Sequence, residues 1–160
     1  LVFVAPASPG NPAAFVEPVI SWIDREYRTK PDRNHRLIVG FGFDSSTALL
    51  AVATSPDLFA AASIQSPLIW AAGQRQILSL LKNTTEPILV RLEWGQYDLF
   101  NPHENWDVRE IASSLAARLE ELPHLTVRAE KVPDSTDWSS WRNRYVEILG
   151  LLKEQGEAKD

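Results

Sequence analysis

The sequence predicts an α/β fold: a mostly parallel sheet with helices on both faces, a three-layer α/β/α sandwich. Three observations predict it. Short continuous apolar runs such as Leu37-Ile38-Val39 and Ile88-Leu89-Val90-Arg91-Leu92 have the length and residue types of buried strands. They alternate with stretches of helical periodicity, which implies crossover connections and a parallel sheet. Finally, 160 residues with 44% hydrophobic content, six Trp and six Phe suffice for one buried core.

Each element has its own signal. Leu1–Ala5 is an apolar run ended by Pro6 and reads as a strand, followed by a loop rich in Pro, Ser, Gly and Asn over Ala7–Pro12. Over Ala13–Tyr27 the spacing of Phe15, Val19, Trp22, Ile23 and Tyr27 makes one helix face, which predicts Trp22 in the core, with Pro18 in the first turns. Lys30–Arg36 is a polar turn, and Arg36–Phe43 carries the second strand. A small-residue helix follows over Ser45–Ser55, with Asp44 or Ser45 as its N-cap. A third strand lies in Leu58–Ile64, and Leu68–Leu81 turns helical from Gln74. Pro87–Trp94 is a strand and Gly95–Asn101 a loop. Asp107–Leu122 is the strongest helix, with Val108, Ile111, Leu115, Leu119 and Leu122 on one face. Leu125–Val132 alternates like an edge or half-buried strand. Trp138–Lys153 is an amphipathic helix that places Trp141 in the core, and Glu154–Asp160 is a polar tail. The expected organisation is one domain over residues 1–153 plus that tail.

Composition excludes several functions. Sixteen Lys+Arg against 21 Asp+Glu give a formal net charge of −5 with no basic run, which argues against nucleic acid or an anionic membrane as partner. No apolar stretch is long enough to span a membrane, so the expectation is a soluble protein, cytoplasmic or secreted. With no Cys, disulfides, thiolate catalysis and Cys-ligated zinc are all excluded. Asp98, His103, Glu104 and Asp107 lie close in sequence, but carboxylates at helix starts answer the helix dipole, and neither a metal site nor a cofactor is expected.

The most informative segment is Leu37-Ile38-Val39-Gly40-Phe41-Gly42-Phe43-Asp44-Ser45-Ser46: a strand, a sharp turn, then a helix. This is the layout of a nucleophile elbow, G-x-S-x-G, whose small residues let strand and helix approach while the central residue exposes its side chain. Here Gly40 fits, Gly42 stands at the nucleophile position, and Asp44 replaces the last glycine.

Four blocks carry a family resemblance: Val19–Thr29 with Pro31-Asp32-Arg33; the elbow; Ser55–Ala60 with Gln65–Trp70; and Asp137-Trp138-Ser139-Ser140-Trp141-Arg142. The last resembles a G-G-H-D-W-x-x-W-R block. Together they resemble, in order along the chain, the esterase branch of the α/β hydrolases that includes enterochelin esterase and esterase D. The resemblance implies the C-terminal part of an α/β-hydrolase fold, without the family's first strands. It also implies a pocket at the carboxyl ends of the strands, near Gly42, Ser66, Asp98 and Thr136, bordered by Phe41, Phe43, Trp70, Asp137 and Trp138. Relatives act on esters of siderophores, feruloylated sugars or formyl-glutathione.

The departures bear on activity. Hydrolysis needs a nucleophile, a His base and an acid that orients the base. The resemblance puts Gly42 at the serine, Thr136 at the histidine and Asp98 at the acid position. Glycine cannot attack, and a threonine hydroxyl is no base near neutral pH. The expected protein is therefore a non-catalytic esterase-like domain, binding an ester or sugar-like ligand or a partner domain at its elbow end. The tryptophans Trp70, Trp94, Trp106 and Trp138 fall near carboxyl-end loops and could line a groove. The alternative is an active ester hydrolase with a relocated nucleophile, Ser45 or Ser46 with His103 and Asp98; Ser66 is a further hydroxyl to test. His35 and His124 each precede a strand and should lie at the opposite end of the sheet.

Overall fold

The computed structural model describes the backbone of residues 12–157 and the side chains of 16–151. The strand expected over residues 1–5 lies outside the described residues. In chain order the elements are α1 (Pro12–Glu26), β1 (Leu37–Phe41), α2 (Ser45–Thr54), β2 (Ala61–Gln65) and α3 (Ala71–Leu81). They continue as β3 (Ile88–Gly95), β4 (Phe100–Asn101), β5 (Trp106–Asp107), α4 (Val108–Glu120), β6 (Leu125–Val132), α5 (Trp138–Asn143) and α6 (Tyr145–Glu157).

Four strands form a parallel sheet in the order β1-β2-β3-β6. Helices α1 to α4 pack in sequence along one face, and α6 covers the other. The main core lies under α2, α3 and α4, where Ile38, Ala62, Ile64, Val90, Leu92 and Val127 project from the sheet. On the opposite face Leu37, Ala61 and Leu89 meet Leu151 of α6. Strand β2 is buried throughout, whereas β6 ends the four-stranded order, as expected of an edge strand, but its burial does not alternate: no residue is buried and Arg128, Ala129, Glu130 and Lys131 are all exposed. Among the described residues no helix is long and apolar enough to cross a membrane.

Several expectations need correction. Helix α1 runs unbroken through Pro18, and Val16 and Ile20 face the core. Trp22 is 45% exposed and packs edge-on against exposed Tyr27 at 5.9 Å. The 3.6-residue phase seats the one-turn pair Val16 and Ile20 and swings Trp22 outward. Helix α3 starts at Ala71, three residues early, because Gln74 donates its side-chain amide to the Ile69 carbonyl at 3.0 Å and steadies the first turn. Part of the Gly95–Asn101 loop is strand: Phe100 and Asn101 pair with Asp107 and Trp106 in a small antiparallel hairpin. The closing helix is two helices, divided at Arg144 (φ −91°, ψ 0°), and the second extends to Glu157.

At the end of β1 a Cβ on Gly40 would lie 2.7 Å from the Cα of Ser45 and 2.9 Å from the Cβ of Ala48. No side chain fits there. That close approach of strand and helix fixes the turn between them.

Candidate functional site

Gly42 opens the turn between β1 and α2 with φ +51°, the left-handed conformation expected at an elbow tip. Its carbonyl accepts a hydrogen bond from the Leu68 amide at 3.0 Å, which ties the elbow to the segment after β2. A Cβ at this position would meet only Cη2 of Trp141, at 3.8 Å. The nucleophile position is therefore sterically open to a side chain but carries none.

Next to it, Ser66 follows β2 in a left-handed conformation (φ 47°) and is fully buried. Strained non-glycine backbone of this kind gathers at functional sites. Ser66 Oγ donates to Asp98 Oδ1 at 3.1 Å and accepts from Trp141 Nε1 at 3.3 Å. Thr136 Oγ1 donates to the same Asp98 oxygen at 2.7 Å and accepts from the Leu99 amide at 3.3 Å. The Gly95 amide donates to Asp98 Oδ2 at 2.7 Å. The buried Asp98 carboxylate thus has two hydroxyl donors and one amide donor. The structure brings Gly42, Ser66, Asp98 and Thr136 into one linked cluster at the carboxyl ends of the strands.

Aromatic rings wall this cluster. Phe41 stacks on Trp141 with centroids 5.1 Å apart and planes 27° apart, and meets Trp138 edge-on at 5.7 Å. Phe43, Trp70 and Trp138 are exposed around it, and Trp70 packs edge-on against Trp106 at 5.8 Å. Trp94 instead packs, partly buried, against the core. Trp141 departs from its core-like spacing and is half buried at the site itself. The signal for this lies in Asp137, whose side chain accepts from the Ser140 amide at 3.0 Å and caps α5. With the helix start fixed there, Trp138 and Trp141 fall three residues apart on one face, toward Phe41.

Hydrogen bonds from Ser135, Ser139, and the Ser140 amide and hydroxyl hold the Asp137 carboxyl well below the usual carboxylate range. A depressed folded value means stabilisation that is present above the unfolded value and lost as pH falls. An Asp137→Ala variant should melt below the parent at pH 7. The gap should narrow below about pH 4, where the unfolded carboxyl protonates. Thermal denaturation of both proteins across pH 3–7 checks this; a gap independent of pH would contradict it.

The relocated triad is not assembled. Ser45 is fully buried, its hydroxyl without a partner, and Ser46 Oγ donates to the Phe43 carbonyl at 2.9 Å. His103 lies exposed in the turn between β4 and β5, its amide donating to Asn101 Oδ1 at 3.0 Å. The Ser46 hydroxyl is committed to the start of α2, the Ser45 hydroxyl is shut away from solvent, and among the described residues no hydrogen bond joins His103 to Asp98. His35 and His124 precede β1 and β6, at the amino end of the sheet, as expected; His35 Nδ1 pairs with Asp32 at 2.6 Å. Among the described residues no group of three or more His, Asp or Glu could hold a metal ion.

Residues 14–151 match the family model described as "Putative esterase". No curated protein matches the chain. Among solved structures, the enterobactin esterase of Shigella flexneri in the presence of 2,3-dihydroxy-N-benzoyl-serine superposes with a TM-score of 0.71 at 17% identity, over 93% of this chain and 39% of that one. The fluorophosphonate-binding serine hydrolase F of Staphylococcus aureus gives 0.69 at 13% identity, over 87% of this chain and 62% of that one. A ferulic acid esterase gives 0.65 at 14% identity, over 89% of this chain and 60% of that one. The chain therefore spans less than two thirds of these structures. At such identities the likeness shows the fold, which is that of an α/β hydrolase.

Proposed function

This chain belongs to the putative esterase family, and from that membership we propose an esterase-like domain that no longer hydrolyses esters and serves a binding or structural role in a larger protein. One observation carries this reading. The carboxylate at the acid position is fully engaged without a histidine: Thr136, Ser66 and the Gly95 amide supply its donors. In a working triad that carboxylate would orient an imidazole, which would take the proton of the nucleophile. Here the Thr136 hydroxyl gives Asp98 the hydrogen bond of the missing base but can take no proton from anything near neutral pH. Gly42 offers nothing to deprotonate. The cluster has become a structural tie between the ends of β2, β3 and the loop before α5.

A ligand or partner would meet the exposed rim of Phe43, Trp70 and Trp138. Large exposed apolar side chains gathered at one end of a domain mark interaction surfaces.

The test is turnover. The parent protein, incubated with p-nitrophenyl esters of increasing acyl length and with methyl ferulate, should release product no faster than buffer containing denatured protein. Saturable turnover would overturn the reading and return the search to Ser45, Ser46 and Ser66.

A further inference from the structure

We propose that α5 and α6 form a flap that swings off the sheet as one unit, hinged after Thr136, and uncovers the end of β1 and the Ser66–Asp98 cluster while the rest of the fold stays intact. The inference goes beyond the reading above and holds whether or not the site hydrolyses anything.

The two faces of the sheet are built differently. Toward α2, α3 and α4 the strands send apolar side chains, and among the described residues twenty-one buried ones form a single cluster there. Toward α5 and α6 the alternation of the same strands presents Ser63 and Gln65 of β2, with Arg91 and Glu93 in register on β3. The apolar cluster on that side has three buried members, Ala61, Leu89 and Leu151. Helix α5 contributes no buried residue. Its tryptophans, Trp138 and Trp141, and Tyr145 of α6 all pack on the one ring of Phe41, with centroids at 5.7, 5.1 and 6.3 Å. Lifting the flap therefore returns far less apolar area to water than unfolding the main core does.

The polar groups under the flap ease its release further. Ser63 Oγ, both polar atoms of Gln65 and Arg144 Nη2 are buried without a hydrogen-bond partner in the protein, and water reaching them would supply one. Glu93 and Arg144 are 0% and 6% exposed, and the hydration each regains on opening offsets the loss of their pairing.

The hinge has a fixed side and a moving side. Thr136 is held to Asp98 at 2.7 Å and to the Leu99 amide at 3.3 Å, so the loop before α5 stays with the sheet. Beyond it the bonds run within the flap. The Trp141 amide donates to the Asp137 carbonyl at 3.2 Å, and the Ile148 amide donates to the Arg144 carbonyl at 3.1 Å across the junction of the two helices. Packing this uneven divides a domain into units that open with different free energies.

Two readouts test the flap, and neither involves turnover. The first is native-state hydrogen exchange of the unsubstituted chain over a ramp of low urea concentrations. The amides of Trp141 and Ile148 should share one opening, at least about 100-fold more frequent than that of the α4 amides and nearly independent of urea. The second uses the absence of cysteine from the chain. Ser63→Cys alters a fully buried hydroxyl that has no partner, beneath the flap, and Ala112→Cys is equally buried in α4. An aromatic disulfide reagent should modify the Ser63→Cys variant at least about 100-fold faster than the Ala112→Cys variant. Where Ala112→Cys does not fold, Ala116→Cys on the same helix takes its place. The exchange measurement needs no substitution and decides the matter where a cysteine variant fails. Equal protection and equal urea dependence for α4, α5 and α6 would overturn the proposal. So would protection that falls steadily from Tyr145 to Leu151, the pattern of a fraying end, or equal labelling of the two cysteine variants.

Discussion

A Glu93→Ala variant is expected to lose about 3–5 kcal/mol of stability, the usual cost of breaking a buried ion pair by deleting one partner. Glu93 sits on β3 in register with Gln65 of β2, and its side chain is 0% exposed. Its two oxygens accept from Arg91 at 2.5 Å and from Arg144 at 3.4 Å. Arg144 itself is 6% exposed and has one further partner, Asp134 at 3.1 Å. Deleting the carboxylate leaves the buried Arg144 guanidinium with Asp134, at the rim of the cluster, as its one remaining counter-charge. The Nη2 of Arg144 and both polar atoms of Gln65 already lack partners. Arg144 also divides α5 from α6, so the loss should reach Trp141. Urea denaturation measures the first effect, and the near-ultraviolet signal of the tryptophans reports the second. A loss under about 1 kcal/mol would mean that the pair behaves as a hydrated surface pair.

The second large effect is a gain. Combining Gly42→Ser with Thr136→His should raise hydrolysis of p-nitrophenyl acetate on the order of 10²-fold above the parent, the lower end of what a positioned base supplies. The serine Cβ has room, since its only neighbour is Trp141 at 3.8 Å. Its backbone conformation at φ +51° costs about 1–2 kcal/mol for a residue other than glycine. The introduced imidazole would stand beside Asp98, where the Thr136 hydroxyl now donates at 2.7 Å. Neither single substitution should gain activity, because nucleophile and base act as a unit.

Much of this was legible in the sequence, for reasons that differ by residue. The strands around Val39 and Val90 announce themselves because parallel strands buried on both faces need unbroken apolar runs. The elbow is legible because only glycine tolerates the 2.7 Å approach at position 40. The grouping of Gly42, Ser66, Asp98 and Thr136 follows from their shared place after strands of one parallel sheet. What escaped depends on tertiary contacts. Glu93 and Arg144 are 51 residues apart, and no local pattern pairs them. Trp141 has the spacing of a core residue, and only the cap at Asp137 and the break at Arg144 turn it toward the elbow. Trp22 follows the same helical spacing, yet the phase of α1 seats Val16 and Ile20 in its place.

The most direct measurement is the intact mass of the parent protein after incubation with a fluorophosphonate, alongside an active serine hydrolase under the same conditions. A chain with no activated hydroxyl at the elbow should emerge at its unmodified mass while the active enzyme gains one adduct. A stoichiometric adduct on the folded parent, mapped to Ser45, Ser46 or Ser66, would contradict the account.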